Sequence, residues 1–214
     1  RFWSFLGAVS QPQAQSKPVV NETGSVGDWQ TQVEPVFNPQ PRLTLEEMEI
    51  FQLVDEVPNQ PEKYGLDNLG LYSLEFTPAM QQVFQALVRT ESNFKHLDPE
   101  TGEVLTSEAG CVSITQGCND MCPKEFWLQP TTNVWCGALT FKWFWDYYDV
   151  DQNIWMLHYA LLGYKGAFMM EDTDFDGVKD TVKIDPTTSL PVIDPDLQWQ
   201  AQKVEANLVW IKKH

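Results

Sequence analysis

Thr77-Pro78-Ala79-Met80-Gln81-Gln82-Val83-Phe84-Gln85-Ala86-Leu87-Val88-Arg89-Thr90-Glu91-Ser92-Asn93-Phe94 decides the fold. Thr77 is a good helix N-cap and Pro78 a good first helical residue. Met80, Val83, Phe84, Leu87 and Val88 then fall at offsets 0, 3, 4, 7 and 8, the buried stripe of an amphipathic helix. The next position on that stripe is Glu91. A carboxylate there is either paired or has its pKa raised, because burial disfavours the anion. Arg89 is too close in sequence to share its face. The alternative is that Glu91 lies past the helix end and faces water.

The same reading extends both ways along the chain. Thr44 with Glu47 predicts a capping box, followed by Leu45, Met48 and Phe51 at spacing three. Residues 57–76 read as a loop with Pro58, Pro61, Gly65 and Gly70. Residues 11–42, rich in Gln, Pro, Val and Asn, read as an extended arm or linker. Downstream of Glu91, Asp98-Pro99 and Thr101-Gly102 mark turns. Val112 and Ile114 alternate with Ser113 and Thr115, which predicts a short strand or hairpin. Helices are predicted over 133–148, 153–165 and 196–212, with an acidic, turn-rich segment before the last. The expected architecture is mainly α with a small β-hairpin, in one domain over 43–214 behind an arm over 1–42.

Composition narrows the function. The chain has 214 residues with 14 basic and 30 acidic side chains, a net charge of -16 and a pI near 4.4. Such a surface repels nucleic-acid phosphates and anionic lipid. No run of about 18 apolar residues exists to span a bilayer. The nine Trp suit either a core or a carbohydrate-facing groove. Cys111, Cys118, Cys122 and Cys136 are clustered without a Cys-x-x-Cys pair, which argues against zinc. They suggest one or two disulfides and an extracytoplasmic, oxidising compartment, against the alternative of four buried thiols. Arg1 through Ser10 reads as the trimmed end of an export or anchor segment. There is no Gly-rich phosphate loop, G-x-S-x-G elbow or His-Glu-x-x-His, and three histidines make a Ser-His-Asp triad a poor prospect.

Five segments, in order, resemble a known family. Arg89-Thr90-Glu91-Ser92-Asn93-Phe94 is similar to the R-Q-E-S-x-F helix end of soluble lytic transglycosylase domains, lysozyme-like enzymes that cleave peptidoglycan. Ser107 through Gln116 resembles their S-x-x-G-A-x-G-L-M-Q segment, and Asn133-Val134 with Gly137 their N-I-x-x-G helix start. Ala160 through Gly166 resembles A-L-A-A-Y-N-A-G, and Glu205 through Ile211 the closing helix, with Val209 and Ile211 in apolar places. Ser113-Ile114-Thr115 stand where the family has Gly-Leu-Met, and Lys165 where it has Asn. The resemblance implies a lysozyme-like fold. It implies that Glu91 makes both proton transfers that cut the bond from N-acetylmuramic acid to N-acetylglucosamine and close a 1,6-anhydro ring. Ser107 and Gln116 would bind the sugar, Tyr164 would hold either Glu91 or the sugar N-acetyl group, and Lys165 would alter sugar contacts. The expected partner is the peptidoglycan glycan strand, in the periplasm or cell envelope or on a phage virion. The arm would dock the domain to a larger assembly.

Two other functions fit the same residues. An inverting hydrolase needs a second carboxylate about 6.5–9.5 Å from the first, and Asp98, Glu100, Glu103 and Glu108 are candidates. A non-catalytic, glycan-binding or structural part of a machine is the other. Separately, Asp172-Thr173-Asp174-Phe175-Asp176-Gly177-Val178-Lys179-Asp180 has the spacing that arranges carboxylates around one Ca2+. Asp172, Asp174, Asp176 and Asp180 would ligate it with the Val178 carbonyl. Lys183 stands where the usual bidentate Glu would be, and a solvated acidic turn is the alternative.

Overall fold

Two threonine caps set the first two helices. The computed structural model describes residues 43–107, 110–117, 119–173, 179 and 181–211. Thr44 Oγ1 accepts the Glu47 N–H at 3.2 Å, and Glu47 Oε2 accepts the Thr44 N–H at 2.8 Å. This reciprocal capping box opens α1, Leu45–Glu56. Thr77 Oγ1 accepts the Met80 N–H at 3.2 Å, with Pro78 as the first residue of α2, Pro78–Ser92. Three more helices follow among the described residues: α3, Pro130–Tyr147; α4, Leu157–Tyr164; and α5, Trp199–Ile211. The chain is mainly helical. Its small sheet is an antiparallel pair, β1 (Met170–Glu171) and β2 (Thr181–Val182), with Glu171 opposite Thr181.

The apolar stripe of α2 is the core. Met80, Val83, Phe84, Leu87 and Val88 are all buried. Each such side chain contributes about 1.5–3 kcal/mol when fully buried. α2 packs against α1 on one side and α5 on another, while α4 lies on α3. Phe84 and Phe141 of α3 meet at 5.6 Å, and Phe76 caps Phe84 edge-on at 5.6 Å. Ala201 and Val204 bring α5 into the same core.

Several sequence expectations need correction. In α1 the inward residues are Glu47, Ile50 and Val54, continued by Val57, while Leu45 and Met48 are exposed. The capping box turns Glu47 inward, and that sets the buried stripe at 47, 50, 54 and 57; of the expected residues only Phe51 packs against the core. Of the strand or hairpin expected at Val112–Ile114, the structure forms a tight hairpin turn and no regular strand. Val112 and Gly117 exchange two backbone hydrogen bonds of 3.1 Å around a tight turn, and Ser113 and Thr115 are buried in it. The two-stranded sheet lies after α4. The 153–165 helix starts as a 3-10 turn over Ile154–Met156, with Ile154 and Trp155 exposed. The last helix begins at Trp199, and Val209 faces out while Ile211 is buried.

The tryptophans divide: Trp127, Trp135 and Trp145 are core, and Trp155 and Trp199 are exposed. Cys122 is bonded to Cys136, which ties the loop before α3 to that helix. Cys111 is also disulfide-bonded. Cys118 and the arm over 1–42 lie outside the described residues. No described helix is long and apolar enough to cross a membrane.

Gly137 marks a close approach between α3 and the turn over Val112–Gly117. A β-carbon at this position in α3 would sit 2.5 Å from the Thr115 side chain. A helical Gly→Ala change ordinarily gains about 1 kcal/mol. Here the sign should reverse, because the turn carrying Thr115 would have to retreat. Gly137→Ala should lower the urea midpoint by the equivalent of about 1–3 kcal/mol, and an unchanged or raised midpoint would contradict the packing.

Candidate functional site

The site forms where the C-terminal ends of α2 and α4 meet. Glu91 is the penultimate residue of α2, inside the helix and not past its end. The chain then turns sharply through Asn93 (φ 54°) and Phe94 (φ 60°), two consecutive left-handed residues that are not glycine. Such a conformation is strained by about 1 kcal/mol or more per residue, and local contacts must hold it. The Asn93 N–H donates to the Arg89 carbonyl at 3.0 Å, and Asn93 Nδ2 donates to Glu47 Oε1 at 3.1 Å. Phe94 is fully buried, edge-on to Phe51 at 5.2 Å. Glu47 therefore starts α1 with one oxygen and braces the end of α2 with the other.

α4 ends differently. Gly166 takes a left-handed φ of 66° and donates to the Gly163 carbonyl at 3.0 Å, while the Ala167 N–H donates to Leu162 at 2.9 Å. That pair of bonds is a Schellman stop. It leaves Lys165 as the C-cap, where a cation suits the negative helix end. Lys165 Nζ donates to both Glu91 carboxylate oxygens at 2.6 Å. The Glu91 side chain is only 6% exposed and that of Lys165 15%. Burial pushes the Glu91 carboxyl above its usual range. The Lys165 ammonium pulls it back, through its charge and its hydrogen bonds, and does not fully offset the burial.

Tyr164 stands beside this pair. Its hydroxyl donates to the Thr115 carbonyl at 3.0 Å. Burial, and then the Glu91 charge, push its pKa up, so it is a neutral donor at any physiological pH. Thr115 belongs to a floor built by Asn133. The fully buried Asn133 accepts from Thr115 N and Thr115 Oγ1 through Oδ1, both at 2.9 Å. Its Nδ2 donates to the carbonyls of Val112 at 3.1 Å and Trp127 at 2.8 Å. The wall next to it carries His96, whose Nδ1 lies 2.7 Å from Ser113 Oγ. Burial lowers the His96 pKa, with Glu46 opposing.

The residues singled out in the sequence are placed unevenly. Glu91 and Tyr164 come together. Gln116 is half-buried in the turn below them, at φ 47°, with Nε2 donating to the Ser113 carbonyl at 2.8 Å. Ser107 closes a second turn, its Oγ accepting the Cys111 N–H at 3.1 Å. Both have local structural work. Of the calcium residues, Asp172 is described, while Asp174, Asp176, Val178 and Asp180 lie outside the described residues. Among the acids named for a hydrolase, Asp98 accepts the Glu100 and Thr101 N–H groups and is held below the usual range by them, as a turn residue is. Glu100 and Glu103 are exposed, and Glu108 lies outside the described residues.

Sequence reasoning missed the Lys165–Glu91 pair, which spans 74 positions. It also missed the depth of Ser113, Thr115 and Asn133. No family model, no curated protein and no solved structure matches this chain.

Asn133→Ala would orphan the Thr115 N–H and the Trp127 carbonyl in the core and leave the Val112 carbonyl to the Gly117 N–H alone. Each buried orphan costs about 1–3 kcal/mol. The variant should lose about 3 kcal/mol or more in urea unfolding, and a loss below about 1 kcal/mol would mean that the floor is held by something else.

Proposed function

We propose that this chain is a peptidoglycan lytic transglycosylase on a lysozyme-like, mainly helical domain. The observation that carries this reading is a carboxylic acid on the buried end of an apolar helix, with its pKa raised by burial and a neutral tyrosine beside it. A single carboxyl serves as acid and then base only if it holds a proton near working pH. The motif resemblance supports the same residue independently of its burial.

Glu91, protonated, gives its proton to the bridging oxygen as the muramoyl C1–O bond breaks, and the bond's electron pair leaves with that oxygen. Positive charge develops at C1. The partial negative charge at the ends of α2 and α4 favours that charge. Glu91, now a carboxylate, takes the proton from the muramoyl C6 hydroxyl while its oxygen bonds to C1. The anhydro ring closes and Glu91 is again protonated. Tyr164 holds the Thr115 turn against α4, which fixes the wall facing Glu91.

A second reading, a non-catalytic glycan-binding part of an assembly, is favoured by one observation: Lys165 occupies both oxygens of the proposed acid. The reading of calcium at 172–180 stays within the proposal. Its support is the spacing of the acidic residues in the sequence; among the described residues, the flanking Glu171 and Thr181 pair. The ion's proposed role is to stabilise the connection between α4 and α5, so chelator should lower the melting temperature.

The sign of the pH dependence follows from Glu91. The acid step needs the protonated form, so activity falls as pH rises through a pKa above the ordinary carboxylate range. Glu91→Gln keeps the shape and removes the proton. Incubated with purified sacculi, it should lose at least ~10² in rate of anhydro-ended products while keeping the parent's fold by circular dichroism. Products with reducing ends would mean hydrolysis, and an inert parent would leave the binding reading.

A further inference from the structure

Lys165 is the only cation hydrogen-bonded to Glu91 among the described residues, and both side chains are largely shut from water. Its position is fixed by backbone geometry, since the Schellman stop at Gly166 ends α4 one residue later. We propose that Lys165 is a positioning residue that restrains Glu91, orienting both carboxylate oxygens in the free protein and confining cleavage to the acid side of the pH range. This rests on the transglycosylase reading of Glu91.

The physics has two parts. An ammonium 2.6 Å from both oxygens stabilises the anion, and an opposite charge at such range typically lowers a carboxyl pKa by about 1–3 units. Burial drives the same group the other way. Lys165 therefore decides how far into the neutral range Glu91 keeps the proton that the acid step uses. Sterically, the ammonium bridges the two oxygens, so a sugar oxygen reaches one of them only as Nζ gives it up. The sugar thus competes with Lys165 for the carboxyl.

The other charges near α2 are engaged elsewhere. From α1, Glu47 braces Asn93 and acts on Arg89, Glu46 acts on His96, and Asp55 accepts from Gln85. From α5, Lys203 lies over the Trp199 ring at 4.0 Å, and lines a pocket of about 280 Å³ with Arg89 and Asn93. From α4, Tyr164 stays neutral. Lys165 is therefore the group whose replacement moves Glu91.

The test uses the whole chain with Lys165→Gln, which removes the charge and keeps hydrogen-bond donors, and Lys165→Arg, which keeps the charge. Should Lys165→Gln fail to fold by circular dichroism, Lys165→Asn supplies the same neutral readout. The measurements are kcat and KM for sacculus cleavage from pH 4 to 9, and the carbon-13 shift of the Glu91 carboxyl over the same range. Lys165→Gln should move the alkaline limb of kcat and the carboxyl titration upward together, by about one unit or more. Two pH units above the parent's limb, that is a gain of about tenfold or more in kcat. KM should fall, because no ammonium competes with the sugar. Lys165→Arg should keep the parent's limb. An unmoved limb and titration in Lys165→Gln, with the parent active and Glu91→Gln dead, overturns the restraint and leaves the enzyme reading intact. A limb moved equally by Lys165→Arg overturns the role of charge. A parent that cleaves nothing removes the enzyme reading, and the pH-window role falls with it, whatever the titration shows.

Discussion

A carboxylate in a dry place is the constraint around which this molecule is arranged. Glu91 closes the stripe that buries α2, so it arrives at the core boundary because Met80, Val83, Phe84, Leu87 and Val88 take the helix there. Leaving a charge there unpaired would be costly, and the compensating cation comes from Lys165 at the end of α4. That contact joins the end of α4 to the end of α2, while packing against α3 and α5 sets where α4 lies. The turn over Val112–Gly117 then fits between α4 and α3. Tyr164 holds it from one side and Asn133 from the other, with Gly137 allowing the approach.

The sequence made the helices legible wherever a side chain acts locally. A capping threonine needs only the next turn, so α1 and α2 begin where Thr44 and Thr77 said they would. The stripe of α2 was readable because five apolar residues agree on one face. The stripe of α1 was misread because Leu45 and Met48 outvoted Glu47, which the capping box turns inward and Asn93, 46 positions away, then engages. The turn at 112–117 was legible, but the burial of its polar residues was not, for the same reason. Alternation assigns Ser113 and Thr115 to solvent, but Asn133 satisfies Thr115 in the interior, and His96 partners Ser113. A period-two pattern reports which side chains differ, not which have found partners.

The candidate site was half legible by the same logic. Glu91 stood out because it violates its own stripe, a conflict visible within fifteen residues. Lys165 broke the pattern of the resembled motif, yet nothing local says where its ammonium goes. Ser113 is instructive here. It stands where the resembled segment has glycine, and it adopts a left-handed φ of 67°. A left-handed φ suits glycine better than serine, and the hydrogen bond to His96 offsets part of the strain.

What distinguishes Glu91 from its neighbours is the lack of structural employment. Ser107, Gln116, Tyr164 and Asn133 each bind backbone and would be wanted in this fold whether or not it met a sugar. Glu47, the other inward acid, caps one helix and braces another. Glu91 bonds neither backbone nor cap among the described residues; its carboxylate meets Lys165 alone. Buried ion pairs of this kind are often no better for stability than well-packed apolar side chains. Leucine at 91 together with an apolar residue at 165 would complete the stripe at less electrostatic cost. A residue that the fold would do well without, held in place by a second such residue, points to chemistry at that carboxyl more strongly than the surrounding polar residues do.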